Sequence, residues 1–185
     1  PEIGELLGLI RTQELLAARR LDGGEQFFTR AVDFGYSKTA AETFTKWPHD
    51  TILSDMVWVI RNFKPDIIIT RFPADERAGH GHHTASAMLA EEAFAAAADP
   101  TKFPEQLIYV SVWQAQRLFW NNSTWWDKDL PNKIANGAPE LAVFDVGGYN
   151  TLLGKSYGEI AAESRTNHKS QGFGSTPTRG EQKEY

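Results

Sequence analysis

The sequence predicts an α/β fold, a Rossmann-like three-layer sandwich with a mostly parallel sheet that lacks its first strand. Three observations carry this. Helical and strand-like patterns alternate along the chain at the lengths of βαβ units. The segment DIIITR at 66–71 is a continuous β-branched run, as expected of a central parallel strand covered on both faces. The chain opens on a helical pattern, where such folds usually open on a strand.

The elements follow in order. Over 3–21, Ile3, Leu6, Leu7, Ile10, Ala17, Ala18 and Leu21 recur at three- and four-residue spacing, with Arg11, Glu14 and Arg19 between them. Asp22-Gly23-Gly24 stops this helix. Residues 26–32 (QFFTRAV) read as a short strand, ending at Asp33-Phe34-Gly35. A helix runs from about Asp50 to Phe63, capped by Asp50 or Thr51, and Pro65 opens the strand over 66–71. An alanine-rich helix covers 82–98, and strands are expected at 107–113 (LIYVSVW) and 140–146 (ELAVFDV). A last helix starts near Asn150-Thr151 and runs through Ile160. The polar, glycine-rich stretch 164–185 reads as loop or as an extension over the surface.

With 185 residues and no visible linker or repeat, the chain reads as a single domain, 1–185. Acidic residues number 24 against 19 basic ones, a net charge of -5, which disfavours general nucleic-acid binding. No apolar run reaches the roughly eighteen residues of a membrane span. Cysteine is absent. Disulfides, thiolate metal sites and a cysteine nucleophile are thereby excluded, so a metal must be held by His and carboxylate. The same absence suits a bacterial envelope protein as well as a cytoplasmic one.

The densest chemistry follows the DIIITR strand. In Phe72-Pro-Ala-Asp-Glu-Arg-Ala-Gly-His80-Gly81-His82-His83-Thr84, three of the five histidines fall within four residues. They occupy a loop at the carboxyl end of a predicted parallel strand, the edge at which open α/β sheets bind ligands. His80 and His83, at i and i+3, can share a face of the first helical turn, where imidazoles suit a metal and the helix N-terminus suits anions. The alternative is a polar loop whose histidines cap the helix and meet water. A second notable stretch, 113–126 (WQAQRLFWNNSTWW), holds four of the six tryptophans. It reads first as packing or a subunit contact, and second as a platform for sugar rings.

The order PDIIITR, an acidic loop, then GHGHHTASAMLAEEAF resembles the LmbE/PIG-L family of zinc-dependent N-deacetylases. The family's "HPDH" motif would here read His80-Gly81-His82-His83, with Gly for Pro and His for Asp. The opening helix with Arg11 and Glu14 resembles the family's "R-x-x-E" helix, Asp33 with Phe34-Gly35 its "DG" loop, and His168-Lys169-Ser170-Gln171 its late "H-x-S-Q" segment. The resemblance implies hydrolysis of the acetamide of an N-acetylglucosamine-type sugar or conjugate, with zinc activating the attacking water and acetate released. It implies His83 as metal ligand and His80 as the catalytic imidazole that stabilises the oxyanion or donates a proton. Arg11 would reach substrate or the leaving acetate, and Asp33 would bind sugar hydroxyls. His82, Asp75, Glu76 and Arg77 are read mainly as orienting or loop residues, and His168 as either structural or site-lining.

One departure is large. The family's "HPDDE" motif, which supplies the other His, the Asp ligand and the base, does not occur in this sequence. The start at Pro1 and the helix-first order lead us to expect a lost N-terminal segment in preference to a degenerate family member. The chain alone is then expected to hold no stoichiometric zinc, its other ligands lying upstream of Pro1, and to turn over little. The rival class is a non-catalytic carbohydrate-binding or interaction domain on the same scaffold. An N-acetylated amino sugar is the expected partner in either case, with a homo-oligomer open.

Overall fold

A computed structural model describes residues 4–172 and 174–185, so Ile3 of the expected first helix lies outside the described residues. The chain forms two compact units. A central one comprises Phe27–Pro131, and a terminal one Pro1–Gln26 with Asn132–Tyr185. The result is a mixed α/β protein with a small parallel sheet.

The central unit is built on two helices, α3 (His49–Phe63) and α4 (Gly81–Ala96), preceded by the short α2 (Ala40–Phe44). The first helix of the chain, α1 (Glu5–Asp22), belongs to the terminal unit. Ile52, Leu53, Val57 and Ile60 of α3 bury against Leu89, Ala93 and Ala96 of α4 and Ala97 beyond it. Of the alanines that mark this helix in sequence, Ala93 and Ala96 join the α3 cluster, where small side chains let the two backbones approach closely. Strand β1 (Ile67–Thr70) packs Ile68 against this core and pairs in parallel with β2 (Arg117–Trp120), Ile67 opposite Arg117 and Thr70 opposite Trp120. Ile67 and Ile69 remain 51% and 65% exposed. The double coverage expected for this strand is therefore not seen among the described residues.

A buried cation shapes the chain after α4. Arg61, fully buried, donates to the carbonyls of Ala96 (3.2 Å), Ala97 (3.1 Å), Asp99 (2.8 Å), Lys102 (2.8 Å) and Phe103 (3.2 Å), and to Gln106 Oε1 (3.1 Å). Gln106 in turn donates to the Ser54 carbonyl (2.9 Å) on α3. The guanidinium thus caps the negative end of α4 and folds the 97–106 turn onto α3.

Two expected strands are absent for visible reasons. Residues 26–32 form no strand. The Arg30 amide and guanidinium bind the Asp55 carboxylate (2.7 and 2.9 Å), so the segment is tied to a helix and not to a strand edge. At 107–113 the chain turns in a 3-10 helix opened by Pro104, and Trp113 then anchors by donating its indole N–H to the Pro65 carbonyl (2.7 Å). The strand forms later, at β2, once Gln116 has reached the Asp66 carbonyl (2.7 Å).

In the terminal unit α1 packs against α6 (Tyr157–Thr166), burying Ala18, Ile160 and Ala162. Gly23, at φ 74°, ends α1 in the left-handed conformation that the Asp22-Gly23-Gly24 signal predicts. The short α5 (Leu130–Ala135) spans the division between units. The expected strand at 140–146 shrinks to β3 (Phe144–Asp145), antiparallel to β6 (Lys183–Glu184), so part of the polar tail is in fact paired. A further two-residue hairpin joins β4 (Tyr149–Asn150) to β5 (Lys155–Ser156). The last helix begins at Tyr157 and not near 150, because the Asn150 side chain accepts from Leu152 N (3.1 Å) and Leu153 N (3.0 Å) in a turn. Ser156 and Glu159 then form a capping box. Among the described residues no helix is long and apolar enough to cross a membrane.

Replacing Arg61 with leucine strands several buried carbonyls, so we expect a loss of about 3–5 kcal/mol in urea unfolding. Arg61→Lys should recover only part of it, since an ammonium cannot span the same acceptors. In the terminal unit, Arg179 and the Ser156 amide hold the Glu159 carboxyl down to about 2 from an ordinary 4.5. A depressed carboxylate contributes above its ordinary pKa and loses that contribution as pH falls through the folded value. Residues near Arg179 should therefore stay protected from hydrogen exchange at pH 4.5 and loosen as pH falls toward 2. A Glu159 carboxyl titrating at its ordinary value in carbon NMR would contradict this.

Candidate functional site

Strand β1 ends at Thr70 and releases the 71–80 loop, which contains a 3-10 turn at Glu76–Ala78 and leads into α4. His80 is the residue before the first helical turn, with extended backbone (φ −134°, ψ 147°) and an exposed ring. It sits at the positive end of a 16-residue helix. His83, one turn on, is half-buried and lies flat on Phe72, with ring centres 3.7 Å apart and planes 3° apart. The two imidazoles stand together, 5.1 Å between centres.

His83 Nδ1 lies 3.2 Å from the Ala78 carbonyl. A carbonyl can only accept, so Nδ1 carries the proton and Nε2 keeps its lone pair. This is the arrangement in which a histidine serves as metal ligand, its second nitrogen fixed by a backbone acceptor. His83 supplies one such imidazole. Among the described residues no group of three or more His, Asp or Glu side chains stands close enough to hold a metal ion. Tested by its donors, this set does not complete a zinc site.

The loop around Asp33 belongs to the same unit. The Asp33 carboxylate is exposed and accepts from Gly35 N (3.0 Å), turning its own loop. Three residues after Asp33, Tyr36 brings its ring edge-on to His80, 5.4 Å between centres. His82 points away from its neighbours, toward Ser37, Phe34 and Trp47. Asp75 accepts from Arg77 N (2.9 Å) and Nη2 (2.6 Å), and that guanidinium holds its carboxyl below the usual value. These two thus pair with each other.

Tryptophans extend the aromatic surface away from His83. Trp126 meets Phe72 edge-on at 6.1 Å and donates its indole N–H to the Arg77 carbonyl (2.9 Å). The Arg71 guanidinium lies 5.4 Å from the Trp126 ring centre, and Trp125 beside it is 77% exposed. Trp113, by contrast, is a core residue.

The other predicted residues lie in the terminal unit. Arg11 is exposed on α1. Glu14 accepts from Ser170 N (2.6 Å) and Ser170 Oγ (2.7 Å), bonds that, with the nearby Arg11 charge, hold its carboxyl below the usual value. The R-x-x-E helix and the H-x-S-Q segment are therefore joined to each other, through Glu14 and Ser170. His168, half-buried, precedes the 3-10 turn at Lys169–Gln171 and lines a cleft with Tyr157 and Arg165.

Sequence reasoning missed Tyr36 and Phe72. Phe72 directly follows the strand, and its place at the loop's start was the available signal; Tyr36 offered none beyond adjacency to the Asp33-Phe34-Gly35 turn. Compared with curated proteins, the chain finds no match. The family model for PIG-L, described as GlcNAc-PI de-N-acetylase, does match, over residues 2–94. That stretch carries α1, the Asp33 loop, β1 and the His80–His83 turn, and the chain belongs to the PIG-L family.

Proposed function

We propose that the chain carries the substrate-binding and oxyanion-stabilising part of a de-N-acetylase that hydrolyses the acetamide of an N-acetylglucosamine-type sugar or conjugate. The single observation behind this is the pairing of exposed His80 with His83 at the start of α4, in a chain of the PIG-L family. Both units are taken as one deacetylase domain, since the matched stretch runs through segments of each. A three-layer, mostly parallel arrangement is proposed for it, supported by the parallel register of β1 and β2.

Amide hydrolysis adds water to the acetyl carbonyl, and negative charge gathers on its oxygen before the C–N bond breaks. The donors that stabilise this charge must be in place beforehand. His80 is suited to it: its ring is free of hydrogen bonds to the described residues, exposed, and set at the positive end of α4. A protonated ring nitrogen can donate to the oxyanion and then pass its proton to the departing amine. Asp33 is assigned to sugar hydroxyls and Arg11 to the acetate product, whose carboxylate a guanidinium matches. Zinc is typical of the family. Of His80 and His83, it is His83 whose Nε2 is set out as its ligand, and the described donors do not complete its coordination.

Ligand-observed NMR with N-acetylglucosamine tests the assignment. Saturation transfer should be strongest at the acetyl methyl, and glucosamine, which lacks the acetyl group, should bind more weakly. Asp33→Asn should weaken N-acetylglucosamine binding about tenfold, as expected for loss of a charged hydrogen-bond acceptor. Equal binding of the two sugars, unaffected by Asp33→Asn, would refute it.

A further inference from the structure

His82 stands between the two histidines assigned above, yet its half-buried ring turns toward Ser37, Phe34 and Trp47. Its Nδ1 lies 2.8 Å from Ser37 Oγ, and Ser37 Oγ lies 2.8 Å from Thr43 Oγ1. Thr43 Oγ1 in turn donates to the Thr39 carbonyl (3.2 Å). Ser37 and Thr43 are both fully buried. All three bonds coexist in only one arrangement of protons. Thr43 spends its hydrogen on the carbonyl, so it accepts from Ser37, and Ser37 then accepts from His82 Nδ1–H. Nε2 is buried and without a hydrogen-bond partner among the described residues.

The same ring grips the loop elsewhere. Phe34 stacks on it at 4.5 Å between centres, and Trp47 meets it edge-on at 5.3 Å while donating its indole N–H to the Val32 carbonyl (2.8 Å). Next to it, Gly81 N donates to the Ser37 carbonyl (2.9 Å). A Cβ at Gly81 would fall 2.2 Å from the Thr39 carbonyl oxygen and 2.6 Å from Ser37 Oγ, so only glycine admits the loop this close. Proline at this position would also have no N–H to give Ser37. The two departures from the family-like motif, Gly81 and His82, thus meet the same loop.

We infer that His82 is a positioning residue: held as the Nδ1–H tautomer by the Ser37–Thr43 chain, it locks the 32–39 loop onto the first turn of α4 and so sets Tyr36 against His80. The role rests on the reading of Asp33 and His80 as substrate-binding and catalytic. The loop that carries Asp33 is fastened at Val32, Phe34 and Ser37, and between these points Asp33 and Tyr36 are exposed.

Long-range proton–nitrogen NMR on the full chain reads the tautomer directly. His82 should be protonated at Nδ1 in the wild type and should lose that signature in Ser37→Ala. His82→Phe keeps the ring packing and loses the bond; His82→Asn keeps a hydrogen-bonding group at the same place. We expect amide exchange at Gly81 and Tyr36 to quicken about tenfold in Ser37→Ala and His82→Phe and to return near the wild-type rate in His82→Asn, with N-acetylglucosamine affinity following the same order. An Nε2–H tautomer in the wild type, or exchange unchanged in both variants, overturns the lock. A wild-type chain with the Nδ1–H tautomer and slow exchange that binds no N-acetylglucosamine overturns the deacetylase reading and leaves the lock standing.

Discussion

The central unit depends on a buried cation that makes no salt bridge among the described residues. Arg61 is buried among five backbone carbonyls and one amide oxygen, all five carbonyls lying at the very end of α4 or in the turn that follows it. A buried charge is costly unless its hydrogen bonds are complete, and here completion requires that the 97–106 segment close around the guanidinium. That closure returns the chain toward α3 and delivers it to Trp113 and then β2, which pairs in parallel with β1. The end of β1 is where the functional loop departs. A hydrogen-bonded turn on the far side of α4 therefore supports the strand that carries the site.

At the site, backbone and hydroxyl groups divide three neighbouring histidines into three states. His80 keeps an exposed ring, His82 spends Nδ1–H on Ser37, and His83 spends Nδ1–H on the Ala78 carbonyl. The helical repeat explains the split. Positions 80 and 83 lie on one side of the first turn, while 82 is turned well away from both. Phe72 and Tyr36 then fix the two rings on the open side from different directions, one by stacking and one edge-on.

Much of this was legible in the sequence where a local rule decided the outcome. Asp22-Gly23-Gly24 stopped α1, the β-branched run gave β1, and the i, i+3 spacing brought His80 and His83 together. Where tertiary partners decided, the local pattern misled. The apolar alternation of 107–113 looks like a strand, yet Pro104 and the Arg61 carbonyl cage turn it into a 3-10 helix and a loop, and Ile108 and Tyr109 stay exposed. The start of α6 was readable but overlooked, since Ser156 and Glu159 spell a capping box that outranks the Asn150-Thr151 signal. The orientation of His82 could not be read, because Ser37, 45 residues earlier, sets it.

The most direct measurement of the central claim is N-acetylglucosamine binding to this chain by ligand-observed NMR, compared with His80→Ala. Saturation transfer to the acetyl methyl should fall about tenfold in the variant, the size of a lost hydrogen-bond donor. Equal transfer in the two proteins would contradict the placement of His80 at the acetyl group.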